Sequence, residues 1–181
     1  FDAVNSDTIL VSMMYVNNEV GSIMPVKSIK KAVKRANAPA LIHIDCVQAF
    51  GKLEVKPSKL GADLVTVTAH KIHGPKGVGA LYLKKGTRIL PRVFGGEQEK
   101  KLRPGTKAIP LIAGFGVAAD LIPDLKKQSE KIKEINTYAK EGLLSVPGVK
   151  INSGDDASDY IINLFVPTFM TSQTVVQHLS S

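Results

Sequence analysis

The chain has 181 residues, of which 44% are hydrophobic, and it contains 15 glycines and 10 prolines. This length and composition fit one compact domain, or one domain with part of another. No apolar stretch approaches the roughly 20 residues that span a bilayer, and the amino end lacks the basic and then apolar pattern of a secretion signal. The single cysteine, Cys46, excludes an internal disulfide framework and suits a reducing compartment. We therefore expect a soluble, cytoplasmic protein without a membrane partner.

The formal net charge of +8 raises the question of nucleic-acid binding. The lysines recur at helical spacing, which is typical of solvated helix faces, as at Lys27, Lys30, Lys31, Lys34, Lys126, Lys127, Lys131 and Lys133. Aromatic residues make up only 6% of the chain, with no Trp to stack on bases. We expect no nucleic-acid partner.

Strands and helices alternate in the first part of the chain. Apolar runs at residues 8–14, 40–45, 63–68 and 79–83 predict four strands, and a helix begins at Pro25. On that helix the apolar residues share one face with 3-to-4 spacing, and they are Val26, Ile29, Ala32 and Val33. The pattern predicts an α/β fold with a mostly parallel sheet covered on both faces.

The second part of the chain is helical from residue 109 to 144, with a break at Pro123, which cannot continue a helix. Strands are predicted at 149–152 and 160–166, and a last helix near Ser172 or Gln173. We divide the chain into residues 1–125, part of a large domain, and residues 126–181, the beginning of a small α+β domain. Because the chain starts at Phe1 and its last helix lacks a capping residue, we expect a piece of a longer protein.

Polar side chains follow two of the predicted strands. Asp45 ends the second strand and Gln48 follows it, while Thr68 ends the third strand and His70 and Lys71 follow it. Because the carboxyl ends of parallel strands lie at one edge of a sheet, these groups could line one crevice. Lysine forms Schiff bases, and a lysine with an acid partner for the ring nitrogen suits pyridoxal phosphate. An ionised carboxylate beside that nitrogen would favour the protonated ring, by about 1 to 3 pKa units.

A metal site is an alternative reading of the same region. Imidazole and carboxylate groups suit divalent metals and occur at His43, Asp45, His70 and His73. That reading, a metallohydrolase, leaves Lys71, Gln48 and residues 103–106 unexplained. We therefore predict no metal ligands.

Five motifs in order resemble those of cysteine desulfurases, which are pyridoxal-phosphate enzymes of the class V aminotransferase group with the fold type I architecture. The motifs are Asn17-Asn18-Glu19-Val20-Gly21, His43-Ile44-Asp45-Cys46-Val47-Gln48, His70-Lys71-Ile72-His73-Gly74-Pro75-Lys76-Gly77, Gly95-Gly96-Glu97-Gln98-Glu99 and Arg103-Pro104-Gly105-Thr106. The resemblance covers about residues 8 to 119. It implies that residues 1–125 are the central and C-terminal part of the cofactor-binding large domain.

The resemblance also implies roles for single residues in binding pyridoxal 5'-phosphate. Lys71 would bind the cofactor covalently and move the substrate's α proton. Asp45 would pair with the ring nitrogen, and Gln48 would bond to the ring hydroxyl.

Four further residues have implied roles at the same site. Thr68, which stands where serine is commoner, and His70 would hold the phosphate. Thr106 would reach the phosphate of the neighbouring subunit in a homodimer. Asn18 would lie by the substrate carboxylate and the ring hydroxyl.

What the resemblance implies for function is removal of sulfur from L-cysteine. The products would be alanine and an enzyme-bound persulfide, whose sulfur passes to an acceptor such as an iron-sulfur scaffold protein. A selenocysteine lyase or another class V aminotransferase is the alternative. The family's phosphate loop, its ring-stacking histidine and its sulfur-accepting cysteine would fall outside these 181 residues, so we expect the isolated chain to be inactive.

Two departures from the family's motifs concern Cys46 and Glu97. Cys46 stands where a small residue such as alanine is usual. One position along the strand from Asp45, it should point to the opposite face and pack as a small buried residue, not act as the sulfur nucleophile. Glu97 replaces a glycine of the family's pattern.

Overall fold

The structure, a computed structural model, describes residues 1–180. Its strands are β1 (Leu10–Met14), β2 (Leu41–Asp45), β3 (Leu64–Thr68), β4 (Gly79–Leu83), β5 (Lys150–Ile151) and β6 (Leu164–Phe165). Its α-helices are α1 (Ile29–Arg35), α2 (Pro57–Leu60), α3 (Ile109–Asp120), α4 (Leu125–Leu144) and α5 (Ser172–Leu179). None of the helices within residues 1–180 is both long and apolar enough to cross a membrane.

Two compact units are formed. The first contains Phe1–Asn17 and Ile23–Gln128, and the second contains Asn18–Ser22 and the residues from Ser129 onward. The assignment of residues 1–125 and 126–181 to a large and a small domain stays a prediction.

The first unit is built on a sheet with the strand order β1-β2-β3-β4. Strands β1, β2 and β3 are parallel, as expected, but β4 is antiparallel to β3. The ten residues between β3 and β4 contain only a short 3-10 turn, whereas a parallel connection needs a dozen or more residues, usually including a helix. The sheet is therefore mixed, with three parallel strands, and the α/β fold is confirmed.

Alternation along β2 determines which side chains enter the core. Ile42 and Ile44 are buried, while the neighbouring residues of the strand are half-buried. Ile29 and Ala32 of α1 are buried as well, as their spacing predicts. Leu81 and Tyr82 of β4 remain 45% and 43% exposed, so the expected cover over both faces does not extend to β4 within the described part of the chain.

The predicted break at Pro123 is confirmed, since α3 ends at Asp120 and α4 begins at Leu125. Helix α3 packs against the turn that follows β3. A Cβ atom on Gly74 would lie 3.2 Å from Ala118 Cβ, and one on Gly114 would lie 3.2 Å from Pro75. These close approaches fix the position of the turn that follows Lys71.

The second unit contains a two-stranded antiparallel sheet, β5 with β6. Each strand is only two residues long, much shorter than predicted. Beyond their ends Asn152 Nδ2 donates to Asn163 Oδ1 at 2.8 Å, and the Asn163 backbone N–H donates to Ser153 Oγ at 2.8 Å. Helix α5 begins after Thr171, whose hydroxyl accepts a bond from the Thr174 backbone N–H at 3.3 Å. The predicted start of this helix is confirmed.

Candidate active site

The carboxyl ends of β2 and β3 lie side by side. Asp45 is the register partner of Thr66, and the Cys46 backbone N–H donates to the Thr66 carbonyl at 2.9 Å. Thr68 is two residues further along β3 at the same edge. The parallel pairing thus brings the Asp45 carboxylate and the Thr68 hydroxyl to one edge of the sheet, as the sequence predicted.

The Asp45 carboxylate has a local role as well. Its Oδ1 accepts a hydrogen bond of 2.8 Å from the Val47 backbone N–H, which is a common turn-stabilising contact after a strand. Oδ2 accepts no hydrogen bond from any residue between 1 and 180, and the side chain is half-buried. One carboxylate oxygen thus remains for a ligand.

Lys71 lies on an anchored turn with an accessible side chain. The 3-10 turn Ala69–Lys71 follows β3 directly, and the backbone N–H groups of Ile72 and Gly74 both donate to the Ala69 carbonyl at 3.0 Å. Ala69 and Ile72 on either side are buried, while the Lys71 side chain is exposed. The backbone is therefore fixed and the amine is free to reach a ligand.

Thr68 and His70 form a polar pair beside Lys71. Thr68 Oγ1 lies 3.0 Å from His70 Nδ1 and donates to the Val78 carbonyl at 3.3 Å. Because the hydroxyl has a single proton, both contacts form together only when His70 Nδ1 is the donor. With Nδ1 as the donor, a neutral His70 offers only an acceptor at Nε2. The proton that this pair can give to a phosphate is therefore that of the Thr68 hydroxyl, once it turns away from the Val78 carbonyl.

Lys52 is a residue of this region that the sequence reasoning missed. Its Nζ donates to Gln48 Oε1 at 3.3 Å. Burial lowers the pKa of Lys52, and the positive charge of Lys71 lowers it further, so the two lysines are electrostatic neighbours. The available signal was that Lys52 is the only charged residue between Cys46 and Leu53.

Two further residues have predicted roles in the site, Thr106 and Asn18. Thr106 is exposed on the irregular segment before α3, and its hydroxyl has no hydrogen bond within residues 1–180. Asn18 is exposed and belongs to the second unit. Their roles stay predictions.

The imidazole of His43, proposed above as an alternative metal ligand, contacts hydroxyl groups through both nitrogens. Nδ1 lies 2.7 Å from Ser12 Oγ, and Nε2 lies 3.3 Å from Thr66 Oγ1. In the described part of the chain, no three His, Cys, Asp or Glu side chains are grouped to hold a metal ion. The contacts of His43 favour a structural role between neighbouring strands.

Cys46 is completely buried, as predicted. Burial raises the pKa of its thiol to about 12, and the nearby Asp45 carboxylate adds to this effect. Since the thiolate is the reactive form, this residue is not an activated nucleophile.

Comparison with known proteins relates the whole chain to one family, because the family described as Aminotransferase class-V matches residues 1–181. A mitochondrial cysteine desulfurase of Candida albicans is 41% identical over 86% of this chain and 32% of its own length. The cysteine desulfurase IscS of Dictyoglomus turgidum is 43% identical over 75% of this chain and 34% of its own length. The crystal structure of DndA from Streptomyces lividans is 32% identical, has a TM-score of 0.82, and is matched over 99% of this chain and 51% of that one.

The chain spans about a third of the length of the curated relatives it matches. Class V aminotransferases and cysteine desulfurases depend on pyridoxal phosphate, which confirms the predicted cofactor. The predicted resemblance to cysteine desulfurases is confirmed by these relatives. From the match over its full length, the chain belongs to the aminotransferase class-V family.

Proposed function

We propose that the whole protein removes sulfur from L-cysteine and produces alanine and an enzyme-bound persulfide. The sulfur would pass to an acceptor protein, such as an iron-sulfur scaffold, and the enzyme would act in the cytoplasm as a homodimer. This proposal takes its substrate from relatives named cysteine desulfurase.

The observation that carries the proposal is the set of groups at the carboxyl edge of β2 and β3. It combines an accessible amine on a fixed turn, a carboxylate with one uncommitted oxygen, and a hydroxyl-imidazole pair. These are the groups that an aldehyde, a pyridine nitrogen and a phosphate require, so the donor set fits pyridoxal phosphate. When bound, the cofactor supplies an electron sink for cleavage of bonds at the substrate's α carbon.

Each residue of this edge then has a defined task. Asp45 Oδ2 would accept the proton of the ring nitrogen, while Oδ1 keeps its bond to the Val47 N–H. Gln48, whose Oε1 is occupied by Lys52, would present its Nε2 donor to the ring hydroxyl. Thr68 and His70 would hold the phosphate, with Thr106 of a second subunit contributing to the same group.

Lys71 would bind the cofactor covalently and, once released by the substrate amine, would move the α proton. Its side chain is exposed, and its backbone lies on the turn that follows β3. Asn18 would lie by the substrate carboxylate. The buried Cys46 does not accept the sulfur in this proposal, because its raised thiol pKa keeps it protonated.

Replacing Lys71 tests the assignment. The whole protein carrying Lys71→Ala should lose the absorbance of the lysine-bound cofactor, at roughly 400 nm, and release no sulfide from L-cysteine. Lys76→Ala, which removes another exposed lysine from the following loop, is the matched control and should keep both. Survival of the band in Lys71→Ala would show that another amine binds the cofactor.

Substrate choice separates a desulfurase from the alternative, a selenocysteine lyase or another class V aminotransferase. Purified protein would be offered L-cysteine, L-selenocysteine and an amino acid with a keto-acid acceptor. We expect alanine from L-cysteine with a persulfide left on the protein. Alanine from selenocysteine alone, or keto-acid formation alone, would overturn the proposal.

The isolated 181 residues correspond to about a third of each curated relative, so we propose that they do not turn over alone. The assay is sulfide release from L-cysteine by this chain with added pyridoxal phosphate. Sustained release would contradict the proposed inactivity.

A further inference from the structure

The segment Asn18–Ser22 is packed within the second unit, although it comes early in the chain. Two of its backbone carbonyls accept hydrogen bonds from residues more than 130 positions away in sequence. The Ser158 backbone N–H donates to the Gly21 carbonyl at 2.8 Å, and Asn163 Nδ2 donates to the Glu19 carbonyl at 3.3 Å. The segment is therefore held by its backbone on both sides of Val20.

Neighbouring residues fix the orientation of the Asn163 amide. Asn163 Oδ1 accepts from Asn152 Nδ2 at 2.8 Å, which leaves Nδ2 as the group that faces the Glu19 carbonyl. The backbone of Asn163 is held as well, because its N–H donates to Ser153 Oγ and its carbonyl accepts from the Asn152 N–H, both at 2.8 Å. Asn163 is thus a rigid donor aimed at this segment.

Gly21 allows the close approach that these bonds require. Its φ is +78°, and a Cβ atom there would lie 3.1 Å from Ile161 Cβ. A larger residue would be strained by the backbone and crowded by Ile161. The position and the conformation of the segment therefore both depend on residues 158–163.

We propose that Asn163 is a positioning residue for Asn18 in binding the carboxylate of the amino-acid substrate. Asn18 immediately precedes Glu19, whose carbonyl Asn163 holds, so loss of this bond loosens the backbone that carries the Asn18 amide. The proposal rests on the proposed function for its substrate, but its structural part does not.

The structural part is tested by hydrogen exchange at the Ser158 amide, whose acceptor is Gly21. The variant Asn163→Asp keeps an oxygen for Asn152 Nδ2 but replaces the donor facing the Glu19 carbonyl with an acceptor. In the whole protein we expect the Ser158 amide to exchange about tenfold faster. Asn152→Ala, which frees the Asn163 amide without adding charge, should give a smaller increase.

The control is Ser145→Ala, which removes a bond of 2.7 Å from a side chain to the Gly142 carbonyl at the end of α4. Ser145 has no hydrogen bond to residues 18–22 in the described part of the chain. Exchange at Ser158 should not change in this variant. Unchanged exchange in Asn163→Asp, or equal acceleration in the control, would overturn the anchoring role.

The functional part is tested by the split between KM and kcat. Asn163→Asp should raise the KM for L-cysteine about tenfold with kcat changed less than twofold, because the contact to the carboxylate is weakened equally in the ground state and the transition state. Asn18→Ala should raise KM as well, and the double variant should be no worse than Asn18→Ala alone.

The outcomes separate the two proposals. Faster exchange at Ser158 with unchanged KM in Asn163→Asp would overturn the positioning role while leaving the anchor in place. Full additivity of the two substitutions would do the same. If the unmodified protein does not act on L-cysteine, the proposed function fails. The exchange measurement alone then shows whether Asn163 holds the segment 18–22 in place.

Discussion

Lys52 Nζ lies 3.3 Å from Gln48 Oε1, so a half-buried ammonium group orients the amide that we assign to the cofactor's ring hydroxyl. An amide presents a carbonyl oxygen as acceptor and an NH2 group as donor, and this contact holds the oxygen towards Lys52. Hydrogen bonds to charged groups are stronger than neutral ones, at about 1.5 to 3 kcal/mol. Lys52 thus determines that Gln48 offers a donor to its ligand.

Removing the Lys52 charge should weaken cofactor binding without abolishing it. Lys52→Met keeps an unbranched side chain, one atom shorter and without the charge, and leaves the Gln48 amide free to rotate. We expect the dissociation constant for pyridoxal phosphate to rise roughly tenfold, equivalent to about 1.4 kcal/mol. Equilibrium dialysis measures it, with the exposed Lys85→Met as control. Equal affinities of Lys52→Met and the unmodified protein would contradict the orienting role.

The lowered pKa of Lys52 also predicts a pH dependence of stability. In the unfolded chain Lys52 has its ordinary pKa of 10.5, and in the folded protein its pKa is lower. Between these two pKa values the unfolded chain binds more protons than the folded protein does. This group therefore makes the free energy of unfolding rise as the pH increases from the lowered pKa towards 10.5. In Lys52→Met that contribution disappears. Urea unfolding between pH 8 and 10.5 checks the slope, and an unchanged slope would contradict the prediction.

Cys46 predicts the opposite pH dependence. Burial raises its thiol pKa from the ordinary 9.0 to about 12, so the protonated form is favoured in the folded protein. Its contribution to stability is complete below pH 9 and is lost as the pH rises from there towards about 12. The variant Cys46→Ala should lose less stability across this range. In the native protein the thiol should also resist alkylation at pH 8, and rapid labelling without unfolding would refute its burial.

Gly74 should tolerate no side chain. A Cβ atom there would lie 2.9 Å from Ala69 Cβ and 3.1 Å from the Ala69 carbonyl oxygen, which already accepts the bond from the Gly74 N–H. Gly74→Ala must displace the turn that holds Lys71, at a cost of about 1 to 3 kcal/mol. We expect a lower midpoint of thermal unfolding and slower binding of pyridoxal phosphate. Gly142→Ala on α4, where a Cβ atom meets nothing within 4 Å, is the control.

The parts of the fold that sequence predicts well are those determined by local patterns. Apolar runs place β1, β2 and β3 within two residues of their observed starts, and Pro123 separates α3 from α4 because proline cannot donate to a helix. The direction of β4 was not predictable by the same rule. It depends on how short the loop after β3 is, and not on the strand's own apolar pattern.

The site divides in the same way. Asp45, Thr68 and Lys71 are recognisable because they follow apolar runs and occur in ordered motifs. Lys52 and Asn163 act through contacts that the spacing of residues in the sequence does not predict. Lysine is usually exposed, but Lys52 is half-buried and bonds to Gln48. Asn163 bonds to Glu19, which is 144 positions away in the sequence. Such partners become visible only when the chain is folded.

Asp63, which directly precedes β3, connects β3 to the neighbouring strands, and we expect its replacement to lower the stability of the sheet. Its Oδ2 accepts from the Ile42 N–H at 3.1 Å, and its Oδ1 lies 2.8 Å from Lys84 Nζ. Burial opposes ionisation, but the bonds from Lys84 and Ile42 outweigh it and leave the pKa of Asp63 below its ordinary 3.8. Asp63 therefore stabilises the folded protein above that pH and loses this effect as the pH falls through the lowered pKa. Asp63→Asn should cost about 1 to 2 kcal/mol at pH 7, because both bonds lose a charged acceptor.

Urea unfolding at pH 7 and again below pH 3.5 measures the cost of Asp63→Asn. At low pH the unmodified carboxyl is itself becoming protonated, so the difference between the two proteins should shrink. Lys84→Met in the otherwise unmodified protein removes only the ion pair with Asp63. It leaves the hydrogen bond from the Ile42 N–H to Asp63 in place, so the two contributions can be compared. Because the Lys84 side chain is 59% exposed, solvent screens this pair, and Lys84→Met should cost less than Asp63→Asn. A cost that stayed constant with pH would show that the charge of Asp63 does not stabilise this sheet.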